Sequence, residues 1–297
     1  MRSGQAPGYE GRLRWVLTSP RGRRVLFGNL LAAFGAVSAT VQFVGQLFPH
    51  AIGAPGPVTA GSLGGCLAWG LARAYPRSKI RREFRFPDTA IVVEQGDLFS
   101  SRAHLVVGFS DTFDTVLDDG VVVSDVSVQG QLLGRRYQGD VRRLDDELSV
   151  ALAGIEPVST EAARFKPRGK LDRYAVGTVA VLGARPQLVF AVAYSRIGND
   201  YVARSSVEEL WYSLNRLWDA VYLHGQLESV AMPLIGSGLC RLDGLDEEGL
   251  LRLILLSFAA RSRERRICRE LRVVVSAAGL RRINLHEVGA FLTTLGS

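Results

Sequence analysis

Acidic side chains are nearly missing from the first 86 residues of this 297-residue chain. Only Glu10 and Glu83 stand there against twelve lysines and arginines, a local balance of +10. The residues beyond position 86 sum to −3, so the formal +7 of the whole chain belongs to one end. That distribution argues against a nucleic-acid surface on the larger part of the protein. Cysteine is scarce as well. Cys66, Cys240 and Cys268 lie far apart, which excludes a disulfide framework and offers no zinc-ligand spacing. The four histidines, His50, His104, His224 and His286, are scattered, and no nucleophile–base pattern can be read from them. No internal repeat is present.

The basic end also contains long stretches with no charge at all. Residues 25–48 are 24 residues without a charged side chain; as a helix rising 1.5 Å per residue they span about 36 Å, enough for a ~30 Å hydrocarbon core with some tilt. After a Pro/Gly-rich turn at 50–57, residues 58–75 form a second apolar run, with Arg73 near its end. Arginines crowd both outer flanks while the connecting loop has none. The positive-inside rule then predicts a two-helix transmembrane hairpin with both termini cytoplasmic, preceded by a basic N-terminus at 1–24. A signal peptide is the competing reading, but the first run exceeds a 7–15-residue apolar core and a second run follows at once. Gly28, Ala32, Ala36 and Thr40, and then Gly61 and Gly65, recur at four-residue spacing, the pattern of close helix packing in lipid. Residues 76–86 read as a basic juxtamembrane linker, with Ile80, Phe84 and Phe86 dipping toward the headgroups.

From residue 87 the pattern alternates. Strand-like runs fall at 90–94, 105–109, 175–182, 188–193, 230–234 and 271–276, most of them apolar on both faces. The clearest helix covers 207–223, with Ser205 and Glu208 spaced as a capping box. Further helices are expected at 144–152, 246–260 and 284–295. This predicts one α/β domain over 87–297 with a buried mixed sheet. Six arginines between positions 261 and 272 join a helix to a strand and read as a solvated face.

Two stretches carry chemistry. Val-Ala-Met-Pro-Leu-Ile-Gly-Ser-Gly, starting at Val230, is a strand running into a turn with Gly236 and Gly238. Such a turn lets backbone N–H groups approach an anion. Ile-Val-Val-Glu-Gln-Gly-Asp-Leu-Phe, starting at Ile91, is a second strand, ending in Gly96-Asp97. Together they predict a cleft at two strand ends, with phosphate donors on one wall and a carboxylate on the other. Asp111, Asp114, Asp118 and Asp119 crowd one loop, an acidic loop rather than a metal site.

The order of these motifs resembles the macro domain family, which binds ADP-ribose. The stretches from Gly108 to Thr115, from Ser127 to Gln131 and from Tyr174 to Thr178 resemble one branch, the macro domain of effectors in Thoeris anti-phage systems, in a form preceded by two transmembrane helices. The resemblance implies a macro-domain-like three-layer α/β/α sandwich with a mixed sheet. It implies that Asp97, with Leu98 beside it, meets adenine, and that Ile235, Gly236, Ser237, Gly238 and Leu239 cradle the diphosphate and distal ribose. Asp111, Asp114 and Arg241 are candidates for the ligand's distal head group, and Phe109 and Phe113 are further ligand-binding candidates. Hydrolytic members carry asparagines after the second strand; here the stretch from Val107 to Asp111 is Val-Gly-Phe-Ser-Asp. That departure favours a reader of the nucleotide over a membrane-tethered ADP-ribosyl hydrolase; a passive ADP-ribose-reading tether is the third reading. The resemblance further implies no bound cofactor or metal, a ligand derived from ADP-ribose (histidine-ADP-ribose in the family) and a TIR-domain partner that makes it. It implies a homo-oligomer in the bacterial cell membrane that disrupts the bilayer, an abortive-infection outcome.

Overall fold

A computed structural model describes residues 20–47, 55–74, 79–117, 120–238 and 244–296. The chain separates into two compact units, Met1–Arg77 and Ser78–Ser297.

The first unit contains helices α1 (Pro20–Leu47) and α2 (Pro55–Ala74). They begin several residues before the charge-free runs, each at a proline, whose missing N–H and preset φ suit a first turn. Large apolar side chains along both stay exposed, among them Phe27, Phe34, Phe43, Leu67 and Trp69. The two helices pack where Gly70 leaves no room: a Cβ there would sit 2.7 Å from Leu30 Cδ2. Gly28, Gly61 and Gly65 have no such neighbour, so the four-residue stripe is not what holds this pair. Among the described residues one stretch, Leu26–Leu47, is long and apolar enough to cross a membrane.

The second unit is built on one sheet. In chain order its strands are β1 (Lys79–Phe84), β2 (Thr89–Gln95), β3 (His104–Ser110), β6 (Val179–Leu182), β7 (Val189–Ile197), β9 (Val230–Pro233) and β10 (Glu270–Val275), with β8 (Ala203–Arg204) added to β7. The short pair β4 (Ser159–Thr160) and β5 (Asp172–Arg173) stands apart as its own hairpin. The spatial order is β1-β2-β10-β9-β3-β7-β6. The five inner strands run parallel, and β1, β6 and β8 are antiparallel. Parallel strands covered on both faces explain the continuous Val-rich runs in the sequence.

The helices form the outer layers. α5 (Val207–His224), α6 (Glu247–Glu264) and α8 (Leu285–Thr294) close one face, with Trp218, Phe258 and Leu292 fully buried against Val106, Phe190 and Val273. α3 (Val128–Arg136) and α4 (Val141–Leu152) close the other over Leu105, Val107 and Ala191. The short α7 (Ala277–Leu280) follows β10. This is the expected three-layer α/β/α arrangement.

Three local readings change. The capping box of α5 uses Ser206 and Glu209, one residue later than Ser205 and Glu208; the Ser205 hydroxyl instead donates to Tyr194 O at 2.6 Å. The strand expected from residue 175 starts at Val179 because Gly177, at φ 92, turns the chain first. Residues 79–84, read as a membrane-surface linker, are strand β1 in full register with β2. Ile80 and Phe84 pack on the core beneath α8, where Gly289 and Gly296 admit them. Phe86 stays almost fully exposed.

Candidate functional site

Five parallel strands bring five carboxyl ends to one edge of the sheet, the edge where α/β folds place ligands. At the end of β2 the Gly96 N–H bonds Val275 O at 3.2 Å, and Asp97 then caps a 3₁₀ turn, Leu98–Ser100. Asp97 Oδ1 accepts from Phe99 N–H at 3.1 Å and Oδ2 from the Ser100 hydroxyl at 3.2 Å. Arg135, from the last turn of α3, pairs with Oδ2. Partial burial alone favours the neutral acid, but the guanidinium and these hydrogen bonds outweigh it and hold the Asp97 carboxyl below its ordinary range. Leu98 is buried, and the turn touches β9.

At the end of β9, Leu234 and Ile235 plug into the core. Gly236 takes φ 89, a conformation that strains any L side chain. The Ser237 hydroxyl folds back on Leu234 O at 2.6 Å, and Ser237 N–H bonds the same oxygen at 3.3 Å. Among the described residues, the N–H groups of Gly236 and Gly238 have no protein acceptor. A Cβ at Gly238 would meet nothing within 4 Å. A side of the loop is therefore open and carries free donors, which is what an anion requires. Ile235 also packs beside β3, where a Cβ on Gly108 would sit 2.6 Å from the Tyr194 ring and 3.6 Å from Ile235 Cγ2.

The loop after β3 behaves differently. In the second core the Phe113 ring lies 5.6 Å from that of Phe109 and meets Tyr174 edge-on at 5.7 Å, between ring centres. Asp111 is buried; its Oδ1 accepts from Ile197 N–H at 2.9 Å and its Oδ2 from Arg173 Nη1 at 2.8 Å. Asp114 is buried with Lys166, whose Nζ lies 3.1 Å from Oδ2 and also donates to Lys170 O at 2.6 Å and Arg168 O at 3.1 Å. Burying the two side chains together is tolerable because each is paired and hydrogen-bonded. The Asp114 carbonyl in turn receives Gln129 Nε2 from the first turn of α3. Gly130 is obligatory there, since a Cβ would fall 2.3 Å from Ser124 O.

Of the twelve residues expected at the site, Asp97 and Leu98 stand on one loop and Ile235, Gly236, Ser237 and Gly238 on another, at the same edge. Phe109, Asp111, Phe113 and Asp114 are turned inward, holding the loop between them. Leu239 and Arg241, with Asp118 and Asp119, lie outside the described residues. Among the described residues no group of acidic, histidine or cysteine side chains is spaced for a metal ion. Sequence reasoning missed Arg135, Lys166 and Arg173. Arg135 was within reach through the stretch from Ser127 to Gln131, which opens its helix. Lys166 and Arg173 meet aspartates 52 and 62 positions away, and no local signal marks such pairs.

Comparison with known proteins matches residues 91–276 to the family model for the macro domain of the Thoeris protein ThsA. A Thoeris protein ThsA from Bacillus amyloliquefaciens (strain Y2) is 26% identical over 211 residues, covering 68% of this chain and 67% of the relative. Among solved structures, the Oceanobacillus iheyensis macrodomain with ADP aligns at 10% identity over 73% of this chain and 100% of its own, with a TM-score of 0.43. The macro domain of ganglioside induced differentiation associated protein 2 aligns at 12% identity over 67% of this chain and 82% of its own, with a TM-score of 0.37.

Proposed function

The chain belongs to the ThsA macro domain family of Thoeris systems, and from that premise we propose that it is a membrane-anchored defence effector gated by an ADP-ribose-derived nucleotide. The carrying observation is the open Gly236–Gly238 turn, with two N–H groups that meet no acceptor among the described residues, at the sheet edge that also holds the ionised Asp97. In this reading the diphosphate lies on the glycine turn and the adenine amine donates to Asp97. Asp111, Phe113 and Asp114 shape the loop that faces the distal ribose and its head group. Leu239 is proposed to join the contacts to the diphosphate and distal ribose and Arg241 to meet the head group; both lie outside the described residues. The signal is made by a TIR-domain partner, and histidine-ADP-ribose is the form proposed.

Gly236 cannot be replaced without strain, but Gly238 can. Gly238→Glu therefore leaves the fold intact while placing a like charge against the diphosphate. Asp97→Ala removes one charge-assisted bond, worth about 1.5–3 kcal/mol, or roughly ten- to a hundredfold in affinity. Calorimetry of the full-length protein in detergent is expected to show ADP-ribose binding in the wild type, none for Gly238→Glu and a weakened fit for Asp97→Ala. Equal affinity in all three removes the site.

The domain is proposed to bind without turnover. Gly108 packs on Tyr194, and the Asp111 carboxylate is held by Arg173 and Ile197, so Asp111 is not free to act as a base. Sustained release of ADP-ribose from the signal or from a modified protein would instead make it a hydrolase.

Both N-terminal helices are proposed to cross the cell membrane with both termini inside. Ligand drives assembly only by binding the assembled state more tightly. Gly61 and Gly65, free of close neighbours, are available to pack helices of neighbouring copies, and the assembly then breaches the bilayer. Full-length protein whose size is unchanged by saturating signal would overturn this step.

A further inference from the structure

Asp97 does not stand alone on its turn. Arg135 Nη1 donates to Asp97 Oδ2, and the guanidinium carbon lies 5.4 Å from the centre of the Phe99 ring. Both partners stay about half in water, at 50% and 43% side-chain exposure, where an ion pair adds little stability. A mere staple between α3 and the 3₁₀ turn accounts poorly for it. A carboxylate offers about four acceptor positions; among the described residues Phe99 N–H, the Ser100 hydroxyl and Arg135 take three, which leaves one for a ligand. Next to that vacant acceptor stand the remaining guanidinium donors, fixed in a plane against the Phe99 ring. An acceptor beside a donor is the complement of an amine beside a ring nitrogen, the edge that adenine presents. Guanine presents two acceptors there, and a free arginine matches those bidentately.

We propose that Arg135 is a base-specificity residue: paired with Asp97, it makes the site accept adenine and reject guanine. This deepens the nucleotide-binding reading and rests on it. Asp97 supplies the acceptor for the exocyclic amine, and Arg135 supplies the donor for the neighbouring nitrogen. Their mutual pairing keeps Arg135 from turning both donors toward a two-acceptor edge.

The test is calorimetry of the full-length protein in detergent with ADP-ribose and with its guanine analogue, GDP-ribose. Wild type is expected to favour ADP-ribose by about ten- to a hundredfold. Arg135→Ala should weaken ADP-ribose and shrink that ratio. Asp97→Ala should reverse the ratio in favour of GDP-ribose, because the freed guanidinium reaches O6 and N7 together. A purely structural Arg135 would lower both affinities alike, so a ratio unchanged in Arg135→Ala overturns the inference while leaving ADP-ribose binding in place. Persistent adenine preference in Asp97→Ala overturns it equally. A wild type that binds neither nucleotide overturns both this inference and the function it rests on.

Discussion

The N-terminal helices and the α/β domain meet water in opposite ways. α1 and α2 leave Phe27, Phe34, Phe43 and Trp69 more than half exposed, while their backbone polar groups bond within each helix. The domain buries its apolar side chains between layers and then has to satisfy the polar groups that burial traps. Its solution is pairing: Lys166 with Asp114, Arg173 with Asp111, and Glu270 with Arg272 and Arg81. One region is therefore determined by what it omits, and the other by what it joins across long sequence distances.

The sharpest way to separate the two is to remove one. A chain beginning at residue 78 is expected to bind ADP-ribose with wild-type affinity yet lose killing entirely, read as viable counts in cells that make the signal. Gly61→Leu with Gly65→Leu should lose killing too, with affinity intact; undiminished killing by either variant would dissolve the division of labour.

Inside the domain the largest effect falls on a buried pair. Lys166→Met strands the Asp114 carboxylate and should cost about 3–5 kcal/mol in urea unfolding. Adding Asp114→Asn should recover part of that loss. If the double variant is no better than the single one, the stranded charge is not the cause.

Strand β1 lies at the junction of the two regions. A domain started at residue 87 lacks Ile80 and Phe84 and exposes the edge of β2. It is expected to be less stable than one started at residue 78 by roughly 2–4 kcal/mol, the burial of two partly covered apolar side chains. Equal unfolding midpoints would return residues 79–84 to the role of a simple linker.

The smallest effect is a pH dependence across the β1–β2–β10 face. Burial alone would raise the Glu270 carboxyl, but hydrogen bonds from Arg272 and Arg81 outweigh it and hold it below its ordinary 4.5. A lowered folded pKa means that stability is fully present above that value and drains as pH falls through the folded one. Glu270→Gln should flatten the loss of stability below about pH 4.5 while leaving the neutral range little changed. A wild-type acid limb that survives in the variant would assign it to other carboxylates.

Much of this protein was legible in one dimension. Charge-free runs marked the helices of the first unit, and one of them, Leu26–Leu47, is long and apolar enough to cross a membrane among the described residues. Val-rich runs marked β2, β3, β7, β9 and β10, since strands covered on both faces need apolar side chains at every position. The glycine turn and Asp97 were visible because each is a local device at the end of a local element. β1 was not, since its Lys79, Arg81 and Arg82, with Arg85 just beyond, read as a flank for lipid when their partners are unknown.

Sequence by itself determined the element types, the alternation that yields a layered α/β domain, and the two short motifs at the candidate site. Periodicity, capping residues and glycine act within a few residues, so they are fully present in the linear chain. Tertiary structure alone decided that Asp111 and Asp114 turn inward, because Arg173 and Lys166 reach them from a distant segment. It alone decided that Arg135 joins Asp97, and that residues 79–84 complete the sheet. Each of those outcomes depends on which charge meets which in a low-dielectric interior or along a strand edge, and pairing of that kind has no local signature.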